Sequence, residues 1–394
     1  MNGCDELAEG FVALARDLYG VGFIPLHRPV FEGNERKYLI DCIDSNFVSS
    51  VGAKVTEFEQ RIAEFVGTDF AIATVNGTSA LHVALVLAGV RPDEEVITQS
   101  LTFVATCNAV CYCDARPVFV DVDRDSVGMS PSSLGAFLHK FAERRENGTY
   151  NKLSGRRLAA CLPMHTFGLP CRIEEIVAIC KEFGIPVVED AAESLGSYVG
   201  DKHTGSLGLL GTFSFNGNKV ITTGGGGMIV TNDQALAVRA KHITTTAKVP
   251  HSWEFVHDEV GYNYRLPNLN AALGCAQMEY LPEMLLAKAK VAERYAKLFE
   301  GSRFEFVAPL NGTTANYWLN ALLLKDREER DTFLEYTNSR NVMTRPVWNL
   351  MHRLDMFKNC QHDGLSNSLW LEDRLVNIPS SVPDCATPGA SASV

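Results

Sequence analysis

The sequence predicts an α/β protein, in which helices cover both faces of a mostly parallel sheet and a smaller α+β domain follows. Between residues 54 and 231, short apolar strand patterns alternate with amphipathic helix patterns, and this alternation is typical of parallel sheets. Beyond residue 268, one long helical stretch precedes a separate strand, helix and strand. We therefore predict a large domain over residues 1–280, which includes the N-terminal segment. Residues 281–394 are predicted to form a linking helix, a small domain and a flexible tail.

The predicted elements of the large domain follow one another without long gaps. The first helix, VTEFEQRIAEFV, places Val55, Phe58, Ile62 and Phe65 on one stripe. The segments AIATV, EEVITQ, RPVFVDVD, LAACLPMH and IPVVED are predicted as strands, and the apolar or amphipathic segments between them as helices. One segment, SPSSLGAFLHKFAERRENGTYNKLSG, predicts a helix followed by a polar loop.

The C-terminal third has a different pattern. Residues 268–301 predict a long helix that is broken near Pro282, because proline lacks the amide hydrogen that a helix interior needs. After it, NYWLNALLL predicts a strand, DREERDTFLEYTNSR a helix and TRPVW a strand. The last residues, PDCATPGASASV, are small and polar, which predicts a frayed end.

Composition excludes several classes of function. The net charge of −11 argues against nucleic-acid binding. No apolar run is long enough to span a membrane, and the N-terminus lacks the features of a signal peptide, so we expect a soluble cytoplasmic protein. The 11 cysteines include no CxxC pair. Cys107, Cys111 and Cys113 are interpreted as buried thiols of an apolar helix, and no metal site is expected.

Two polar motifs follow predicted strands, at the edge where α/β proteins bind ligands. Asn76-Gly77-Thr78-Ser79 leads directly into a helix, whose free amide groups suit a phosphate, although an ordinary helix cap has the same pattern. Asp190 ends a hydrophobic strand. A buried acid there either needs a cationic partner, such as a protonated pyridine nitrogen, or caps the next helix.

A third motif places Lys219 between a short strand and the glycine run Gly224 to Gly227. Glycines allow a tight backbone around a flat cofactor, and a lysine in this setting is unusual for a solvated surface. A nucleotide-binding phosphate loop is the alternative, but neither GxxxxGK[ST] nor GxGxxG after the first strand is present. A fourth polar segment, GYNYRLPNLNAA, precedes the long helix.

Together these motifs resemble the DegT/DnrJ/EryC1/StrS family, the sugar aminotransferases of fold-type I that depend on pyridoxal phosphate (PLP). The resemblance runs from about residue 24 to about residue 379 and keeps the family's order of motifs. Within the family, the segments SFNGNK, TTGGGG and VNGTSALH most resemble those of the bacillosamine and legionaminic-acid branch. The segments that carry the resemblance are IPLHRPVFEGNERKYL, NFVSSVGAKVTEFE, VNGTSALHVAL, TFVATCNAVCYCDARPVFVDVD, LPMHTFGLP, VEDAAESLGS, GYNYRLPNLNAALG and TRPVWNLMHRLDMF, together with the Lys219 segment.

The resemblance implies roles around the ring of the cofactor. Lys219 would be the Schiff-base lysine and would later carry the proton between the carbons of cofactor and substrate. Asp190 would keep the pyridine nitrogen protonated, and Phe103 would stack on the ring. Glu193 is expected beside the cofactor, although many relatives carry His or Gln at this position. Gly225 is a second departure, because many members have GEGG where this chain has GGGG.

The resemblance also implies how the phosphate is held. Gly77, Thr78, Ser79 and Ser214 would bind it through amide and hydroxyl groups. Asn263 would reach the phosphate of the neighbouring subunit's cofactor, so a homodimer with shared active sites is implied.

The remaining implied contacts concern the substrate side of the cleft. Trp348 and His352 would contact the sugar nucleotide, and His165 would pack close to the cofactor at the edge of the substrate site. The implied reaction is a ping-pong transfer of an amino group from L-glutamate to C4 of a UDP-4-keto-6-deoxy-N-acetylhexosamine, for surface glycan biosynthesis. A GDP-perosamine-type enzyme and a dTDP-sugar 3- or 4-aminotransferase stay open as alternatives.

Three other interpretations fit the sequence less well. In the PLP-dependent sugar dehydratases of the family a histidine replaces the lysine, whereas this chain has Lys219. A PLP-fold transcription sensor would need a DNA-binding module, for which the segment before about residue 24 leaves no room. A simple nucleotide-binding α/β protein is disfavoured by the missing phosphate-loop motifs.

Overall fold

The computed structural model describes residues 3–383. The tail that was predicted to fray therefore lies outside the described residues from residue 384 onwards. The helices are α1 (Gly3–Tyr19), α2 (Glu35–Asp44), α3 (Ala53–Val66), α4 (Gly77–Leu87), α5 (Val104–Tyr112), α6 (Pro131–Phe141), α7 (Ile173–Phe183), α8 (Gln234–Thr244), α9 (Asn268–Phe299), α10 (Arg327–Asn338) and α11 (Ser366–Glu372).

The strands are short, and most lie where apolar segments alternate with helices. They are β1 (Phe70–Thr74), β2 (Glu95–Gln99), β3 (Arg116–Val120), β4 (Ala142–Arg145), β5 (Gly148–Asn151), β6 (Leu158–Leu162), β7 (Val188–Asp190), β8 (Tyr198–Val199), β9 (Lys202–His203), β10 (Leu210–Ser214), β11 (Gly227–Thr231), β12 (Lys248–Val249), β13 (Val256–His257), β14 (Glu305–Phe306), β15 (Thr313–Thr314), β16 (Asn320–Leu323), β17 (Arg345–Pro346) and β18 (Leu375–Ile378).

A large sheet with the strand order β3-β2-β6-β7-β10-β11-β1 forms the centre of the molecule. Parallel bridges from Cys161 to Val187 and from Met164 to Asp190 join β6 to β7. All neighbouring pairs are parallel except those that involve β11, which runs antiparallel to β10 and β1. The predicted mostly parallel α/β sheet is therefore confirmed.

Helix α3 shows why the amphipathic segments pack as predicted. Val55, Phe58 and Ile62 are buried, and the stripe continues through Val66, while Phe65 is only partly buried. The helix ends at Gly67, which has a left-handed backbone that glycine adopts without strain. The buried stripe packs on β1 and α9, so this helix covers one face of the sheet.

A second, smaller layer contains the antiparallel sheet β14-β16-β18-β17. Helix α1 packs against α9 and α10, with the ring centroid of Phe11 lying 5.8 Å from that of Tyr295 and 5.3 Å from that of Phe333. Helix α9 runs from the large sheet to this layer and crosses residue 280 without interruption. The division of the chain at residue 280 stays a prediction.

The structure corrects three local predictions. Helix α9 is not broken at Pro282; the residue lies on the exposed side, where water can reach the carbonyl that proline leaves without a donor, and buried Leu281 and Met284 anchor the helix. The polar loop after α6 is a hairpin of β4 and β5. Of the three clustered cysteines, which were predicted to be buried, Cys111 is exposed.

Within residues 3–383, no helix has the length and apolar character to cross a membrane.

Candidate active site

The carboxyl ends of several sheet strands meet at one cavity of about 370 Å³. β1 leads into α4, β2 leads towards α5, and β7 and β10 end at this edge, while antiparallel β11 begins there. The cavity is lined by Asn76, Gly77, Thr78, Leu81, Phe103, Ala105, Thr106, Met164, Asp190, Ala192, Glu193, Ser214, Asn216, Asn218, Lys219, Gly225, Gly226, Trp318 and Trp348. A larger depression of about 1020 Å³ beside α8 is shallow and its lining contains no lysine.

Asp190 is a buried acid at the end of β7. Its Oδ2 accepts a hydrogen bond of 2.7 Å from the hydroxyl of Thr106, and its Oδ1 accepts one of 3.2 Å from the amide of Ala192. Burial raises the pKa of Asp190, and these two hydrogen bonds act against that rise. A cation against the carboxylate would offset the cost of burying the charge, so the position suits a protonated ring nitrogen.

Lys219 lies in the loop between β10 and β11 and points its amino group at Glu193. The distance from Nζ to Oε1 of Glu193 is 3.3 Å, and the two side chains are 13% and 1% exposed. The other carboxylate oxygen of Glu193 accepts a hydrogen bond of 2.9 Å from the amide of Phe167. Burial raises the pKa of Glu193 to about 7.

The ring of Trp318 forms another wall beside Lys219. Nζ lies 4.0 Å from the ring centroid, and the indole nitrogen donates a hydrogen bond of 2.6 Å to the carbonyl of Asn218. The amide of Trp318 donates to the side chain of Asn316, which in turn donates to the carbonyl of Glu193. The segment before β16 thus holds both the lysine loop and the Glu193 backbone.

The start of α4 forms the far end of the cavity. Asn76 caps the helix by accepting a hydrogen bond of 2.8 Å from the amide of Ser79. Gly77 and Thr78 precede the first intrahelical hydrogen bonds, so their amides are suited to bind a phosphate. A Cβ atom at Gly77 would lie 2.7 Å from Cβ of Ser214, and the glycine therefore lets β10 and α4 approach closely.

Aromatic side chains from both layers line the outer part of the cavity. Phe103 is 47% exposed, and its ring centroid lies 6.0 Å from that of Trp348. Trp348 also packs on Phe167, with a centroid distance of 5.1 Å. Phe103 comes from the loop after β2 and Trp348 from the segment after β17, so the small layer closes one side of the cavity.

The structure brings eight of the predicted site residues together around one cavity, and four others lie outside its lining. The eight are Gly77, Thr78, Phe103, Asp190, Glu193, Ser214, Lys219 and Trp348. Ser79 is buried within α4, with its amide engaged by Asn76. Asn263 is exposed in a loop and its side chain accepts a hydrogen bond from Arg265.

Neither of the two predicted histidines reaches the cavity lining. His165 is fully buried, with Nε2 at 2.9 Å from Glu189 and Nδ1 accepting a hydrogen bond from the amide of Cys171. Glu189 also accepts hydrogen bonds from amides of residues 205, 207 and 208, so this network ties the chain segments behind the cavity together. His352 lies 2.8 Å from the hydroxyl of Ser100.

Sequence reasoning missed several cavity residues, of which Thr106 and Trp318 have the clearest contacts. Thr106 lies three residues after Phe103, on the inner side of the first turn of α5, and this spacing could have been noticed. Trp318 had only a weak signal, because it falls within the predicted strand NYWLNALLL, whereas the observed strand β16 begins only at Asn320.

These features fit PLP. The cavity has a helix start and a hydroxyl group for a phosphate, a buried acid for the pyridine nitrogen and a lysine between them. The acid that would face the ring nitrogen and the helix start that would bind the phosphate line the same cavity. The fold and the site together define a PLP-dependent enzyme.

Comparison with known proteins identifies the family. Residues 29–386 match the DegT/DnrJ/EryC1/StrS aminotransferase family, and the chain belongs to it. The chain is 38% identical over 339 residues to EpsN of Bacillus subtilis (strain 168), whose name assigns it provisionally to the PLP-dependent aminotransferases, and the match covers 85% of this chain and 84% of EpsN. It is 34% identical over 362 residues to the GDP-perosamine synthase of Vibrio cholerae. This match covers 91% of this chain and 94% of the synthase.

Solved structures show the same architecture. The crystal structure of the aminotransferase TlmJ from Streptoalloteichus hindustanus superposes with a TM-score of 0.82 and 25% identity, over 91% of this chain and 94% of TlmJ. The predicted family, the fold-type I architecture and the dependence on PLP are therefore confirmed, and the chain is a PLP-dependent sugar aminotransferase. The roles of individual site residues stay predictions.

Proposed function

We propose that this enzyme transfers an amino group from L-glutamate to C4 of a UDP-linked 4-keto-6-deoxy-N-acetylhexosamine by a ping-pong mechanism. The product would be a UDP-4-amino-4,6-dideoxy sugar for surface glycans. One observation carries the proposal: the segments VNGTSALH, SFNGNK and GGGG, which resemble the bacillosamine and legionaminic-acid branch, supply residues to the same cavity.

The residues around Lys219 have complementary tasks in this reaction. When bound, PLP supplies an electron-withdrawing ring that stabilises negative charge on the neighbouring carbon. Asp190 holds a proton at the ring nitrogen, and the hydrogen bond from Thr106 favours its ionised form. Lys219 would hold the cofactor covalently and, as a free amine, would carry a proton between the two reacting carbons. Phe103 would pack on the ring face, and Gly77, Thr78 and Ser214 would bind the phosphate.

The active enzyme is proposed to be a homodimer with shared sites. Asn263 lies in an exposed loop of this chain, outside the cavity of its own subunit. The segment before it exposes large apolar side chains, with Trp253 79%, Phe255 82% and Val260 86% exposed. Solvent-exposed aromatic side chains in one segment are typical of contact surfaces, which supports a second subunit at this loop.

His352 and Trp348 would contact the sugar nucleotide from the small layer.

A GDP-linked 4-keto-6-deoxy sugar is the second candidate substrate. The similarity to the GDP-perosamine synthase of Vibrio cholerae extends over 91% of the chain and favours this alternative. We place the reaction in the cytoplasm, because the nine cysteines whose side chains the structure describes are all free, as in reducing compartments.

The role of Lys219 is tested by trapping the cofactor. The purified protein is expected to be yellow and to lose that colour on treatment with borohydride. The pyridoxyl adduct should be on the peptide that contains Lys219, and a Lys219→Ala variant should form none. Lys290→Ala, which changes an exposed lysine of α9, is the matched control and should still be labelled at Lys219. A colourless protein that gains no absorbance with added PLP would disprove the proposal.

The substrate is tested by a parallel assay. L-Glutamate is offered together with UDP-, GDP- and dTDP-linked 4-keto-6-deoxy sugars, and the amino sugar product is measured by mass. Amination of the UDP-linked N-acetylhexosamine supports the proposal. Amination of the GDP sugar alone would replace this substrate by the second candidate and leave the family assignment unchanged.

A further inference from the structure

The buried contact between Lys219 and Glu193 is not explained by binding of the cofactor alone. Oε1 of Glu193 lies 3.3 Å from Nζ of Lys219, and its side chain is only 1% exposed. Its other oxygen is fixed by the amide of Phe167 at 2.9 Å. A carboxylate held by a backbone amide on one side presents its second oxygen to the lysine in a fixed direction.

Other titratable groups near this pair do not compete for the lysine proton in the same way. Asp190 faces both partners, but its oxygens accept hydrogen bonds from Thr106 and Ala192. His27 also faces Lys219, and burial lowers the pKa of His27 well below its usual range, so it is uncharged near neutral pH. The indole ring of Trp318 covers Nζ at 4.0 Å and limits access of water. Glu193 is therefore the base that the geometry places against Nζ.

We propose that Glu193 is the proton acceptor that converts the Lys219 ammonium into the free amine. This inference rests on the proposed role of Lys219. One N–H bond of the ammonium breaks and one O–H bond forms on Oε1 of Glu193, so an ion pair becomes two neutral groups and no other reactant is needed. An amine has the lone pair that attack on a carbonyl carbon requires, whereas an ammonium has none.

Burial makes this transfer feasible for a carboxylate. In a medium of low dielectric constant, separated charges are costly and a neutral pair is favoured relative to water. Burial raises the pKa of Glu193 to about 7, so the carboxyl group can hold a proton near neutral pH and release it again. The cation–π contact with Trp318 acts in the opposite direction and keeps the ammonium form accessible.

The test follows capture of an aldehyde by the apoprotein, which does not depend on turnover. PLP is added to apoprotein on both sides of pH 7, and the rate of adduct formation is followed by absorbance. Pyridoxal, which lacks the phosphate, is used in parallel so that ionisation of the phosphate cannot produce the pH dependence. Wild type, Glu193→Gln and Glu193→Asp are compared. Glu329→Gln is the matched control, because it alters a buried glutamate of α10 that does not line the cavity.

The wild-type rate is expected to rise with pH through about 7, as Glu193 loses its proton, and then to level off. Glu193→Gln should lack this inflection and should be slower on the order of 10²-fold above it, because the carboxylate that contacts Nζ is lost. Glu193→Asp should retain the inflection at a reduced rate, and Glu329→Gln should behave as wild type.

The outcomes separate this inference from the proposed function. If Glu193→Gln keeps the wild-type rate and inflection while its adduct forms on Lys219, the assignment of Glu193 is wrong and the role of Lys219 stands. If wild type forms no adduct on Lys219 at any pH, the proposed function itself fails. Should Glu193→Gln not fold, loss of the inflection in Glu193→Asp would overturn the inference.

Discussion

The hydroxyl of Thr106 donates a hydrogen bond of 2.7 Å to Oδ2 of Asp190 and so connects the first turn of α5 to the end of β7. The hydroxyl of Thr102 lies 2.7 Å from that of Thr106 and extends this hydrogen-bond network. Because the carboxylate is buried, its orientation depends on these few partners. The acid that would face the ring nitrogen is thus held by a helix that follows a different strand of the sheet.

Removal of this hydroxyl should weaken binding of PLP. In Thr106→Val the pKa of Asp190 should rise further, because a hydrogen bond that lowers it is lost. Hydrogen bonds to charged groups contribute about 1.5–3 kcal/mol, so we expect PLP affinity to fall roughly ten- to hundred-fold. Titration of the apoprotein with PLP measures this change. Thr98→Val removes a buried hydroxyl that donates to the carbonyl of Leu162 and should leave the affinity unchanged. Equal affinity of the two variants would contradict the prediction.

The close approach at Gly77 predicts a steric effect. In Gly77→Ala the new methyl group would lie 2.7 Å from Cβ and 3.3 Å from Cα of Ser214, so the backbone of β10 must move. We expect a loss of about 1–3 kcal/mol in the free energy of unfolding, together with weaker PLP binding. Urea unfolding and PLP titration measure the two effects. Gly135→Ala in α6, where the nearest atom is 4.0 Å away, should stabilise the protein by up to about 1 kcal/mol. A stable Gly77→Ala that binds PLP normally would show that the contact is relaxed in solution.

The parts of the site that could be predicted from sequence are those with a local signal. Asp190 ends an apolar strand and Lys219 is followed by glycines, so each is recognisable within its own segment, and the alternation of strands and helices places both at one edge. The contact of Trp318 with Lys219 depends on how the small layer packs against the large sheet, and no local pattern contains that information. Pro282 was misjudged for a similar reason, since its tolerance depends on which side of α9 faces solvent.

The position of His165 separates a structural role from a role in substrate binding. His165 and three backbone amides surround the buried carboxylate of Glu189. His165→Ala should therefore leave a cavity, remove one partner of Glu189 and leave the buried amide of Cys171 without its acceptor. We expect a loss of about 2–4 kcal/mol of stability with little change in the KM for the sugar nucleotide. Thermal unfolding and steady-state kinetics measure these quantities. A ten-fold increase in KM at unchanged stability would instead support the predicted contact between His165 and the substrate. Trp348→Ala serves as the comparison, in which KM is expected to rise.

The buried lysine of α9 predicts how stability depends on pH. Lys288 is 1% exposed, and its amino group donates hydrogen bonds to the backbone carbonyls of Trp318, at 3.3 Å, and Ser380. Burial lowers the pKa of Lys288 from 10.5 to about 7. Between these values the unfolded chain binds a proton that the folded chain lacks, so raising the pH favours the folded state.

We therefore expect the free energy of unfolding of wild type to increase, relative to Lys288→Met, by about 1.4 kcal/mol for each pH unit above the folded pKa. Urea unfolding of both proteins at several pH values from 7 upwards measures the difference. Lys290→Met changes an exposed lysine two residues further along α9 and should show no such slope. A difference between wild type and Lys288→Met that stays constant over this range would mean that Lys288 keeps its proton when folded. In that case the carbonyls of Trp318 and Ser380 would have to solvate a buried ammonium.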